Sequence, residues 1–166
     1  MLAVATPSSP SSPASKPDLY ASLLAQAGAL LAGERDAIAN AANLCALLFH
    51  ALPDLNWAGF YWLKNGELVL GPFQGKPACV RIALGRGVCG TAASSGRTLV
   101  VPDVHAFPGH IACDSASESE VVVPVLKAGR VLGVLDLDSP RLARFDEEDA
   151  KALEDLVAAF VEATDL

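Results

Sequence analysis

Apolar positions recur at helical spacing in three stretches of the chain and alternate in several others. From Asp18, a good helix cap, the residues Leu19, Leu23, Leu24, Ala27, Leu30 and Leu31 keep the spacing of one helix face, and Gly33 suits its end. A second stripe, Ile38, Ala41, Ala42, Cys45, Leu48, Phe49 and Leu52, predicts a helix from about Glu34 to Leu52, closed by Pro53. A third, Leu153, Leu156, Val157 and Phe160, predicts a last helix from Asp146 to Ala163, with Asp146 as cap and Glu147 paired to Lys151.

Between the helices the period changes to two. Asn56 to Leu63 reads as a strand with Trp57, Gly59 and Tyr61 on one face and Ala58, Phe60 and Trp62 on the other. Asn65-Gly66 signals a hairpin to a strand at Glu67 to Leu70, followed by a loop through GPFQGKP. Ala78 to Leu84 reads as a strand carrying Cys79. GRGVCG then opens a short helix or turn through Ser95, and Thr98 to Val101 is a short strand. Val121 to Leu126 and Val131 to Asp138 make a second hairpin. Hairpins make the sheet largely antiparallel, and helices at both chain ends pack together on one face. The expected class is α/β of the α+β kind, a single domain over residues 18–166.

Composition narrows the function classes. Of 166 residues, 52% are hydrophobic, which suits one domain with an ample core. The net charge of −7 argues against nucleic acid and against anionic membrane surfaces. No apolar run approaches the ~20 residues of a membrane span. Residues 1–17, rich in Ser, Pro and Ala, read as a disordered tail without the features of a secretory signal. The expected location is the cytoplasm, where thiols are usually reduced and disulfides tend to be transient and catalytic.

Against that background the segment from Pro102 to Val125 stands out. It holds Cys113 among small and polar residues, with His105 and His110 before it and Glu118 and Glu120 after it. Cys79, Cys89 and Cys113 fit a redox nucleophile with one or two resolving thiols, since a sulfenic acid needs a nearby thiol to condense with. Three separately buried cysteines is a reading that stands beside it. The cysteine and histidine spacings match no zinc ligand pair, so no metal is expected. GRGVCG matches G-x-G-x-x-G in letters, but the helix after it is too short for a dinucleotide site. At the start of a helical turn, Cys89 would have its thiolate favoured by the exposed N–H groups. Asp136 and Asp138 share one strand face while Leu135 and Leu137 take the other. One such acid can be held neutral as a proton donor while the other stays ionised. A solvent-facing strand end is the alternative. Trp57 and Tyr61 could wall an apolar site or pack in the core.

The pieces NWAGFYW (56–62), GPFQGKPACVRI (71–82), GRGVCGTAA (85–93), VPDVHAFPGHIACDSASESEVVVP (101–124) and GVLDLDSP (133–140) together resemble the free methionine-(R)-sulfoxide reductase family, which has the GAF domain fold. The resemblance implies that Cys113 attacks the sulfoxide sulfur of free L-methionine-(R)-S-oxide, that Cys79 is the main resolving thiol with Cys89 able to take part, and that thioredoxin reduces the disulfide. It implies that Glu120, Asp136 and Asp138 bind the substrate ammonium and polarise the sulfoxide oxygen, and that Trp57 and Tyr61 line the pocket around the S-methyl group. It also implies a homodimer and no bound cofactor. A non-catalytic GAF sensor of small molecules or redox state is the alternative of a different class.

Overall fold

The computed structural model describes residues 15–111 and 114–166. Helix α1 spans Lys16–Leu31. Its cap is Ser15, whose hydroxyl accepts from the Asp18 amide at 3.3 Å, so it starts before Asp18 and takes Lys16 and Pro17 from the expected tail. Proline favours that first turn because its fixed φ is helical and its missing N–H would be unbonded there anyway. The rest of the tail, residues 1–14, lies outside the described residues. Helix α2 spans Ala37–Ala51, later than Glu34, because the Asp36 carboxylate caps the Ile38 and Ala39 amides at 2.9 Å. Ile38 then falls in the first turn and is 68% exposed, outside the stripe assigned to it.

Six strands follow. They are β1 (Trp57–Lys64), β2 (Glu67–Gly75), β3 (Arg81–Ala83), β4 (Leu99–Val101), β5 (Ser119–Lys127) and β6 (Arg130–Ser139), with helix α3 (Gly87–Ser95) between β3 and β4 and helix α4 (Glu147–Ala163) last. Two strands differ from the sequence reading. Strand β2 runs on through Gly71–Gly75, where a loop was expected, because a register shift between Gly59 and Tyr61 lets β1 keep pairing. Strand β3 is only three residues long, which leaves Cys79 in a loop. Asp146 caps α4 as expected, in a reciprocal capping box with Asp149, whereas Lys151 pairs with Asp155 and not with Glu147.

The sheet order is β3-β2-β1-β6-β5-β4, with every neighbouring pair antiparallel. Helices α1, α2 and α4 cover one face. There Ala58, Phe60, Val121, Val123, Leu135 and Leu137 meet Leu23, Leu44, Leu48, Leu153 and Phe160, all buried. Each such side chain contributes roughly 1.5–3 kcal/mol on burial. Asp149 ties α1 to the start of α4. It is fully buried and accepts from Tyr20 Oη at 2.7 Å, Lys16 Nζ at 2.9 Å and Arg144 at 3.3 Å. On the opposite face, α3 covers Tyr61, Val122 and Val134 incompletely, and the uncovered part is a cavity.

Candidate active site

The floor of the cavity is built by strand alternation. Trp57 and Tyr61 point away from the helical core, as their spacing indicated, and both line the cavity. Gly59 between them does not leave a gap. The Trp57 indole lies across it, so that a Cβ there would come within 2.3 Å of that ring and 2.5 Å of Phe73 Cβ. The indole stacks on Phe73 at 5.3 Å and on Tyr61 at 5.8 Å. Both aromatic groups also hold the loop that carries Cys79. Trp57 Nε1 donates to the Lys76 carbonyl at 3.1 Å, and Tyr61 Oη donates to the Cys79 carbonyl at 2.9 Å.

The acids arrive from β5 and β6. Register places Asp136 opposite Gly59, and Asp138 opposite both Trp57 and Glu120, so one face carries the aromatic wall and three carboxyls. Glu120 and Asp136 are only 5% and 6% exposed. Burial raises all three acids above the ordinary carboxyl range, and mutual repulsion adds to the rise in Glu120 and Asp138. Asp136 is pushed to about 7, checked there by hydrogen bonds to Cys89 and Glu120. The three carboxyls are linked closely enough that their protons are shared within the cluster. Asp136 Oδ1 is buried and has no hydrogen-bond partner among the described residues. Glu118 lies elsewhere, with His105 Nε2 at 3.3 Å.

Cys89 enters from the first turn of α3, with Sγ 3.8 Å from Glu120 Oε1. The helix start was expected to favour its thiolate. Burial, followed by the negative neighbours Asp136 and Glu120, instead pushes the thiol well above its ordinary range. Desolvation outweighs a helix terminus whose effect is about 0.3–1 kcal/mol. Cys79 is half-buried in the loop before β3. Cys113 lies outside the described residues, but Ile111 and Asp114 on either side of it line the cavity. Cys45, on the helical side of the sheet, is a buried thiol raised to about 12 by burial.

Sequence reasoning passed over several neighbours. His110, expected only to shape its loop, lines the cavity with Nδ1 4.0 Å from Glu120 Oε2, and burial lowers its pKa, which keeps the imidazole neutral. Lys76 and Arg86 add positive charge to the lining. Asn56 Nδ2 donates to Ser117 Oγ at 3.0 Å and to Asp114 Oδ2 at 3.2 Å, fixing the turn beside Cys113. No periodicity marks such residues, because they sit in loops. The cavity is narrow inside and opens to solvent at its mouth. Its acidic floor suits a cationic group, and its aromatic wall suits a short apolar chain.

Comparison with known proteins agrees with this geometry. The GAF domain family model matches residues 18–164. The free methionine-R-sulfoxide reductase of Escherichia coli is 53% identical over 143 residues, 86% of this chain and 87% of that protein. The free methionine-R-sulfoxide reductase of Saccharomyces cerevisiae is 45% identical over 154 residues, 88% of this chain and 86% of that protein. The crystal structure of the Neisseria meningitidis free methionine-R-sulfoxide reductase in complex with its substrate superposes with a TM-score of 0.88 at 49% identity, covering 92% of each chain.

Proposed function

The chain belongs to the free methionine-R-sulfoxide reductase family of GAF domains, and we propose that it reduces free L-methionine-(R)-S-oxide to methionine through cysteine chemistry. The observation that supports this most is the cluster of buried Glu120 and Asp136 with half-buried Asp138 facing the Trp57–Tyr61 wall, with Ile111 and Asp114, which flank Cys113 in sequence, along its edge. An α-ammonium group finds its counter-charge on that acidic floor, while a peptide-bound methionine would bring an uncharged amide there, so the free amino acid is the preferred substrate. The S-methyl group packs on Trp57 and Tyr61.

The reaction balances without a resident cofactor. A neutral carboxyl of the cluster donates toward the sulfoxide oxygen, which makes it a better leaving group. The Cys113 thiolate attacks sulfur, the oxygen passes to Cys113 as a sulfenic acid, and methionine leaves. The Cys79 thiol then displaces water to form a disulfide, which a thioredoxin dithiol reduces by exchange. Cys89, kept protonated by its surroundings, is better placed to donate a hydrogen bond to the acids than to attack. We assign the enzyme to the cytoplasm and expect a homodimer. No helix among the described residues is long and apolar enough to cross a membrane.

The test is an NADPH-coupled thioredoxin assay with each sulfoxide epimer. Turnover should be confined to the R epimer and fall to background in Cys113→Ser. Full activity in that variant would overturn the assignment. Tight binding of a cyclic nucleotide without turnover would favour a sensor.

A further inference from the structure

Four side chains from four separate segments meet in the cavity, and the reductase chemistry does not use all of their donor atoms. They are Cys89 on α3, Glu120 on β5, Asp136 on β6 and His110 from the loop before Cys113. One donor atom from each of Cys89, Glu120 and Asp136 lies within 4.8 Å of the other two. Cys89 Sγ is 3.8 Å from Glu120 Oε1, and His110 Nδ1 is 4.0 Å from Glu120 Oε2. Two of these donors, Asp136 Oδ1 and His110 Nδ1, are buried without a hydrogen-bond partner among the described residues. A substrate ammonium answers the carboxylate oxygen. It is a poor match for the buried Cys89 thiol, which suits a borderline-soft metal.

We infer that Cys89, Glu120 and Asp136 form a three-ligand binding site, with an open fourth position, for one thiophilic divalent cation of the zinc class, His110 lying beside it at 4.0 Å from Glu120. Zinc takes sulfur, nitrogen and oxygen donors at about 2.0–2.3 Å in a tetrahedron, which sets the donors about 3.3–3.8 Å apart. The Cys89, Glu120 and Asp136 donors, within 4.8 Å of one another, need to close by up to about 1.5 Å to meet it. Metal–sulfur and metal–oxygen bonds replace the thiol proton and the carboxyl protons, which leave to solvent; nothing is oxidised or reduced. Magnesium and calcium, which take oxygen ligands, are not accommodated by this set. A consequence rests on the reductase reading above. The cation takes the place of the substrate ammonium, so zinc inhibits in competition with free methionine sulfoxide.

Cobalt(II) is the probe, titrated into reduced full-length chain carrying Cys79→Ser and Cys113→Ser, which removes those two thiols. One equivalent should produce a thiolate-to-cobalt charge-transfer band with tetrahedral visible bands, both displaced by one equivalent of zinc. Adding Cys89→Ser should abolish the charge-transfer band. Asp136→Asn in the otherwise native reduced chain, which keeps the side chain's shape, should shift the titration to higher cobalt concentration. No tetrahedral spectrum, or a charge-transfer band that survives Cys89→Ser, overturns the site. Reductase activity without the cobalt spectrum refutes the metal site alone. The spectrum in the Cys79→Ser, Cys113→Ser chain, together with a native chain that reduces neither epimer, supports the site and refutes the function. Zinc inhibition that excess substrate does not relieve overturns the competition.

Discussion

Asp136 gives the sharpest physical prediction. Its carboxyl is buried, and burial lifts its pKa from 3.8 to about 7. In the unfolded chain it titrates near the ordinary value. Between those two values the folded protein holds a proton that the unfolded chain releases, so stability falls as pH rises across the window. The contribution is fully present below about pH 4 and is lost as pH passes about 7. A difference of about 3 units at 1.36 kcal/mol each comes to about 4 kcal/mol. Glu120 and Asp138, also raised by burial, steepen the same slope. Asp136→Asn carries no titrating proton. Its stability relative to the native chain should therefore increase by up to about 4 kcal/mol between about pH 4 and pH 8, a large share of a typical 5–15 kcal/mol total. Urea denaturation of both chains across that range, without substrate, measures it. An unchanged m value keeps the comparison valid. If the two pH–stability curves run parallel, Asp136 is solvated in the native state and the argument for a dry, proton-sharing cluster fails.

Two further substitutions probe the scaffold. Gly59→Ala places a methyl group within 2.3 Å of the Trp57 ring, so the indole must shift. A stability loss of about 1–3 kcal/mol and a raised KM for methionine sulfoxide should follow, and a native melting curve with native KM would show that the floor is looser than described. Asp149→Ala strips partners from Tyr20, Lys16 and the nearly buried Arg144. It should cost about 3–5 kcal/mol in denaturant titration while leaving turnover per folded molecule unchanged, and a loss under about 1 kcal/mol would mean the network is a surface feature.

The elements themselves were legible where the signal is local. Period-two alternation is a property of one strand, so Trp57 and Tyr61 opposite Ala58 and Phe60, and Asp136 and Asp138 opposite Leu135 and Leu137, could be read from the chain directly. Errors collected at boundaries. Ser15 and Asp36 took the caps that spacing had given to Asp18 and the region of Glu34, because a cap depends on where a side-chain oxygen finds free amides.

The sequence by itself therefore determined the helices, the hairpins, the two faces of each strand and a family resemblance carried by its cysteine and acid motifs. The tertiary structure decided what those faces meet. Pairing β1 with β6 joins strands far apart in the chain and sets Gly59 against Asp136 and Trp57 against Asp138, beside the β5–β6 hairpin that sets Glu120 against Asp138. Local periodicity carries no information about that register. The protonation of Cys89 and the arrival of His110 beside Glu120 follow from the same packing, since a pKa is set by the groups and the solvent around an atom rather than by its neighbours along the chain.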